Sequence, residues 1–182
     1  MTEVKFQYDD PVNEGWLEET KELYYKLNKL TESGDYVYLG HIQPLGTNLF
    51  CTSLSVDRPG QIFEYAKFVN KREGKLKGVC QFGPLTEGPP QHVHGGAIAT
   101  IVDSSTGKLF VSVSKYGGVT TSLTLNYKRQ IPLMRAVLIE AEVTESIDDR
   151  KYSVACKLKS ADGQTLYVDA FSKFIIAKKS KL

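Results

Sequence analysis

A chain of 182 residues with 41% hydrophobic side chains is long enough for one substantial core and short for two, so a single domain with terminal extensions is expected. Its 23 Lys and Arg against 21 Asp and Glu leave a net charge of +2, too near balance for a dedicated nucleic-acid binder, so any basic site must be local. No apolar run approaches the roughly 18 residues of a membrane span, and Cys51, Cys80 and Cys156, far apart and without CxxC spacing, suggest neither a disulfide framework nor a zinc site.

Taken in chain order, the acidic start MTEVKFQYDD lacks the basic and apolar regions of a signal peptide, which predicts a chain that is not secreted, and the odd, scattered cysteines fit a reducing intracellular compartment. The cysteines then read as small buried hydrophobes. Residues 14–32 place Trp16, Leu23, Leu27 and Leu30 at spacings of seven, four and three with charges between them, the pattern of an amphipathic helix. Residues 33–60, with Gly34, Gly40, Pro44, Gly46 and the Arg58-Pro59-Gly60 turn, predict an irregular connection. QIFEYAKFVN (61–70) and KLKGVCQF (75–82) read as strands joined by the polar turn KREG.

Gly83-Pro84 and Gly88-Pro89-Pro90 break the chain before a helix expected from near Gly95, with LFVSV (109–113) read as its end. After Gly117-Gly118, four strands are predicted: VTTSLTLNYKR (119–129), 137–144, 152–159 and QTLYVDAFSKFII (164–176), with turns at Asp148-Asp149 and Ala161-Asp162-Gly163. Two strands, one helix and four strands give an α+β class, an antiparallel sheet of about six strands wrapped around one long central helix. Residues 1–60 form an extension with its own helix, and 178–182 a basic tail.

The central helix raises the chemical question. Ile98, Ile101, Val102 and Leu109 form a stripe suited to the sheet, while Asp103 lies off it on a face with Gly96, Ala99, Thr100, Thr106 and Gly107. Small neighbours let a ligand or a second backbone approach the carboxylate. Gly95 and Gly96 leave the first-turn N–H groups unobstructed at the positive end of the helix dipole, where negative charge is stabilised, and His94 stands at the N-cap or ligand-facing position. For acyl transfer such donors form an oxyanion hole. Nine residues separate His94 from Asp103, about 13 Å along a straight helix, so a site using both requires the helix start of one subunit to meet Asp103 of another across a two-fold axis.

GPPxxxHGGAIATxxD, from Gly88 to Asp103, followed by TxxLxxNYKRxIPL, from Thr120 to Leu133, closely resembles the hot-dog-fold acyl-CoA thioesterases of the PaaI-like group, and most nearly their mitochondrial members. The resemblance covers residues 61–177. It implies a hot-dog fold, a homodimer with sites at the subunit interface, and hydrolysis of fatty acyl-CoA to free acid and CoA. By position, Asp103 matches the family's catalytic carboxylate, as general base or nucleophile, His94 its helix-leading histidine, and Gly95-Gly96 its carbonyl-polarising turn. Thr120 matches a threonine near that carboxylate, and Lys128 and Arg129 are the cations expected to meet the phosphates of coenzyme A.

The chain departs from this likeness in a loop before Thr120 that is about one residue shorter, and in its last residues, Ser180-Lys181-Leu182, the tripeptide read by the peroxisomal import receptor. A peroxisomal address is therefore expected, with mitochondrial or cytosolic placement as the alternative. No cofactor or metal is expected. Two rival readings remain: a hot-dog protein that binds acyl-CoA or a protein partner without turnover, and a dehydratase or hydratase using His94. Acyl chain length and pairing of dimers into tetramers stay open.

Overall fold

The computed structural model describes residues 11–40, 58–148 and 150–176. Cys51, Asp149, most of the irregular stretch before Arg58, and Ser180-Lys181-Leu182 lie outside them. No described helix is long and apolar enough to cross a membrane.

The first helix, α1, runs Glu18–Asn28, later than the 14–32 pattern suggests. Asn13 explains the delay: its Oδ1 accepts from Gly15 N at 2.8 Å and its carbonyl from Trp16 N at 3.2 Å, a turn that competes with helix. The far end tightens into a 3-10 turn over Lys29–Thr31. Strand β1, Val37–Tyr38, pairs with β2, Phe63–Asn70, which forms a hairpin with β3, Lys75–Phe82. Helix α2, Gly95–Ser114, includes 109–113 as expected, and is followed by β4, Gly118–Tyr127, β5, Ala136–Ile147, β6, Lys151–Ser160, and β7, Leu166–Ile176.

These strands form one antiparallel sheet of seven, ordered β1-β2-β3-β5-β6-β7-β4. The strand beyond the six predicted is β1, whose two residues are too short to carry an alternation signal. Strand β4, made directly after α2, crosses to the far edge beside β7, so among the described residues its outer side has no strand partner.

The helix stripe behaves as predicted, with Ile98, Ile101, Val102 and Leu109 all buried in one cluster with inward residues of the sheet such as Leu76, Cys80, Ile139, Val154 and Leu158. Phe110 stacks on Phe174 at 4.9 Å, nearly parallel, and meets Tyr152 edge-on at 5.3 Å. The opposite face of β2 and β3 is covered by α1 and the Trp16 that precedes it: Trp16, Leu23, Tyr24 and Leu27 pack on Ala66, Phe68 and Val79, and on Ala136 of β5. One sheet thus separates two apolar clusters, and Cys80 and Cys156 are buried in the larger.

Candidate active site

The start of α2 is set by three local contacts. Gly88 lies so near His94 that a Cβ there would sit 2.8 Å from the His94 Cα. His94 N donates to Thr86 O at 2.8 Å, and Val93 N to Ile131 O at 2.9 Å, fixing the approach from both sides. His94 is the N-cap, with extended backbone, and its Nδ1 accepts the Gly96 N–H at 2.9 Å. The expectation of an unobstructed Gly96 donor is therefore corrected: the imidazole already holds it. The Gly95 and Ala97 amides find no acceptor among the described residues.

Asp103 stands two turns further on, half-buried, and its Oδ1 accepts from Thr120 Oγ1 at 2.9 Å. That meeting depends on a β-bulge. Thr120 pairs with Phe174 but Ser122 already pairs with Lys173, so Thr121 is the extra residue, tied by Oγ1 to Lys173 O at 3.1 Å. The bulge turns Thr120 toward the helix ahead of the inward positions Leu123, Leu125 and Tyr127.

Around the carboxylate, Gly96, Ala99, Thr100 and Gly107 are all incompletely buried, consistent with an approachable face. Thr106 is not part of it. Its hydroxyl is fully buried, donating to Val102 O at 2.9 Å and lying 3.0 Å from Ser172 Oγ, because the wide apolar arc of α2 takes this position into the sheet.

Lys128 and Arg129 follow the end of β4, two residues earlier than the predicted strand end at 129. Their amides both donate to Tyr167 O, at 2.8 and 3.2 Å, while their exposed side chains form no ion pair among the described residues. The structure thus joins Asp103 to Thr120 and His94 to Gly96, but leaves those two pairs at separate levels of one helix.

Residues 90–166 match the family model described as Thioesterase superfamily. Over 177 residues the chain is 36% identical to acyl-coenzyme A thioesterase THEM4 of Xenopus laevis, spanning 90% of this chain and 78% of that protein. This chain belongs to the thioesterase superfamily. It is also 41% identical over 113 residues to the THEM4 of Mus musculus, spanning 62% of this chain but 48% of that protein, about half its length. Among solved structures, smu.793 from Streptococcus mutans UA159 bound to acetyl CoA superposes with a TM-score of 0.58 over 77% of this chain and 100% of that one, at 17% identity, a likeness of fold. The fold is the hot-dog fold.

Two residues of this thioesterase-superfamily chain escape the sequence reading. Tyr127 Oη donates to Gly95 O at 3.0 Å and roofs Gly95 so closely that a Cβ there would come within 3.3 Å of the phenol oxygen. Its inward parity with Leu123 and Leu125 was the available signal. Lys67, 3% exposed, reaches Ser104 Oγ at 2.7 Å beside Asp103 and lies over the Tyr65 ring. Alternation through Phe63, Tyr65 and Val69 puts this lysine on the inner face.

Proposed function

We propose that the protein hydrolyses fatty acyl-CoA to free acid and CoA, with Asp103 as the acting carboxylate. The observation that carries this reading is the 2.9 Å bond from Thr120 to Asp103 Oδ1 on a helix face of small residues. Thr120 orients one carboxylate oxygen and leaves the other to act. Asp103 takes a proton from water as the hydroxyl adds to the thioester carbonyl; collapse of the adduct breaks the C–S bond, and the CoA sulfur leaves and is protonated. Direct attack by Asp103, with water cleaving the resulting anhydride, gives the same products.

Charge gathers on the carbonyl oxygen at addition, and the start of α2 is where the chain offers donors for it. The oxygen would displace His94 Nδ1 from the Gly96 amide, with the neighbouring Gly95 amide already open; one such donor is typically worth about 3 kcal/mol in the barrier. Because Asp103 lies about 13 Å along the helix from His94, each site takes Asp103 and Thr120 from one subunit and the helix start from its partner. The open edge of β4 supplies the means, since unpaired strand backbone joins readily to a two-fold copy. Lys128 and Arg129 then meet CoA phosphates.

Release of CoA thiol from a long-chain acyl-CoA tests this. The wild type turns over and Asp103→Asn loses at least about a hundredfold in kcat, the scale of a general base. Equal turnover by the two proteins overturns the reading, and acyl-CoA binding without turnover by the wild type supports the non-catalytic alternative. We also propose peroxisomal import through Ser180-Lys181-Leu182, checked by whether a fluorescent protein ending in residues 171–182 enters peroxisomes and one lacking the tripeptide does not.

A further inference from the structure

The segment before and within α1 makes a set of polar contacts that packing alone does not require. Glu64 on β2 and Gln81 on β3 are direct cross-strand partners on the face that α1 covers, and both are buried, at 6% and 0% exposure. Gln81 Oε1 accepts from Leu17 N and Thr20 Oγ1, each at 2.8 Å, and its Nε2 donates to Gly15 O at 2.8 Å. Glu64 accepts from Gly60 N through Oε1, at 2.6 Å, and from Asn13 Nδ2 through Oε2, at 3.1 Å. Buried polar groups need hydrogen-bond partners, and these two find theirs in the incoming chain, so they read as its anchors.

From the anchors, contact runs to the helix start. Gly15, Gly60 and Gly83 cross backbone to backbone: a Cβ on Gly15 would lie 2.1 Å from Gly60 N, and one on Gly83 2.2 Å from Gly60 O. Gly83 O accepts from Thr86 N and Thr86 Oγ1, and Thr86 O accepts from His94 N. A second arm begins at Glu19 on α1, whose Oε2 takes the Ala136 N–H at 3.1 Å and Arg135 Nε at 3.3 Å. It holds the end of the segment 128–135, which is clasped to the approach to His94 by Leu133 N to Gln91 O and Val93 N to Ile131 O.

We infer that residues 13–27 are a brace for the thioesterase site, in which Gln81 and Glu19 are positioning residues: Gln81 fixes the loop that presents His94, and Glu19 fixes the loop that presents Lys128 and Arg129. The inference rests on the reading proposed above. A misplacement of about 1 Å at reacting groups costs on the order of a hundredfold in rate, so anchors remote from the substrate reach the chemistry through these loops.

The test uses the full chain, with palmitoyl-CoA as substrate, and the variants Gln81→Leu, Glu19→Ala and Glu19→Gln. Gln81→Leu lowers kcat per folded protein about tenfold or more with little change in KM, because its arm ends at the oxyanion donors. Glu19→Ala raises KM about fivefold with little change in kcat, and Glu19→Gln, which keeps the acceptor for Ala136 N, restores it. Amide exchange in 84–96 quickens in Gln81→Leu and in 128–135 in Glu19→Ala, while β6 stays protected. Wild-type kcat, KM and exchange in both alanine- and leucine-type variants overturn the brace, and do so beside an inactive Asp103→Asn that leaves the hydrolase reading intact. If the wild type releases no CoA, the hydrolase reading fails and the exchange pattern alone decides the brace. Should Gln81→Leu not fold, the Glu19 pair decides it by the same readouts.

Discussion

At the residue scale, the chemistry turns on which atoms already have partners. Asp103 was legible as a candidate because a carboxylate among Gly96, Ala99 and Thr100 has no packing role to play, and Thr120 as its candidate neighbour, which the structure places 2.9 Å away, because of the motif it shares with a family. The bond between His94 Nδ1 and the Gly96 amide was not legible, since it depends on one side-chain torsion that no residue pattern encodes. That bond requires an imidazole with Nδ1 unprotonated, placing any ring proton on Nε2. Cys156 shows the opposite case, a group with no partner to gain: burial pushes its thiol up to about 12 from an ordinary 9.0. The folded state therefore keeps a proton that the unfolded chain releases, so the stability it carries is complete below pH 9 and is lost as pH rises toward 12. Denaturant unfolding across that range is expected to lose roughly 1.4 kcal/mol per pH unit from this thiol, and Cys156→Ala to flatten that slope.

At the scale of elements, the strands announce themselves where one face is buried and the other wet. β5 and β6 alternate along most of their length and were predicted within a few residues. β1 was invisible because two residues cannot alternate, and α1 began late because Asn13 captured Gly15 N before a helix could form. The bulge in β4 was equally silent, although a strand with one extra residue is what aims Thr120 at Asp103. The far end of α2 is held by Phe110, stacked on Phe174 and edge-on to Tyr152. Gly118 presses on the same ring, where a Cβ would come within 2.8 Å. Phe110→Ala is expected to cost about 3–5 kcal/mol in chemical denaturation, with unfolding still a single transition. A cost below about 1 kcal/mol would mean that the stack is not a structural clamp for the helix.

At the scale of the whole molecule, one sheet carries different business on its two faces and its edge. The inner face buries the stripe of α2 and leaves Asp103 half-buried; the outer face takes α1 and its anchors; and β4, largely exposed along its length, is the edge at which the proposed function places a second copy. The separation of His94 and Asp103 along one rigid helix makes the proposed function a property of two chains. Mixing subunits measures that directly. Asp103→Asn and Gly96→Val, the latter crowding the donor with a branched side chain, are each expected to be inactive as homodimers. After subunit exchange at equal amounts, half the dimers are mixed and each carries one intact site, so CoA release should return to about a quarter of the wild-type rate. Mixed dimers that form, as seen by differently tagged subunits co-purifying, yet release no CoA would contradict a site shared between chains.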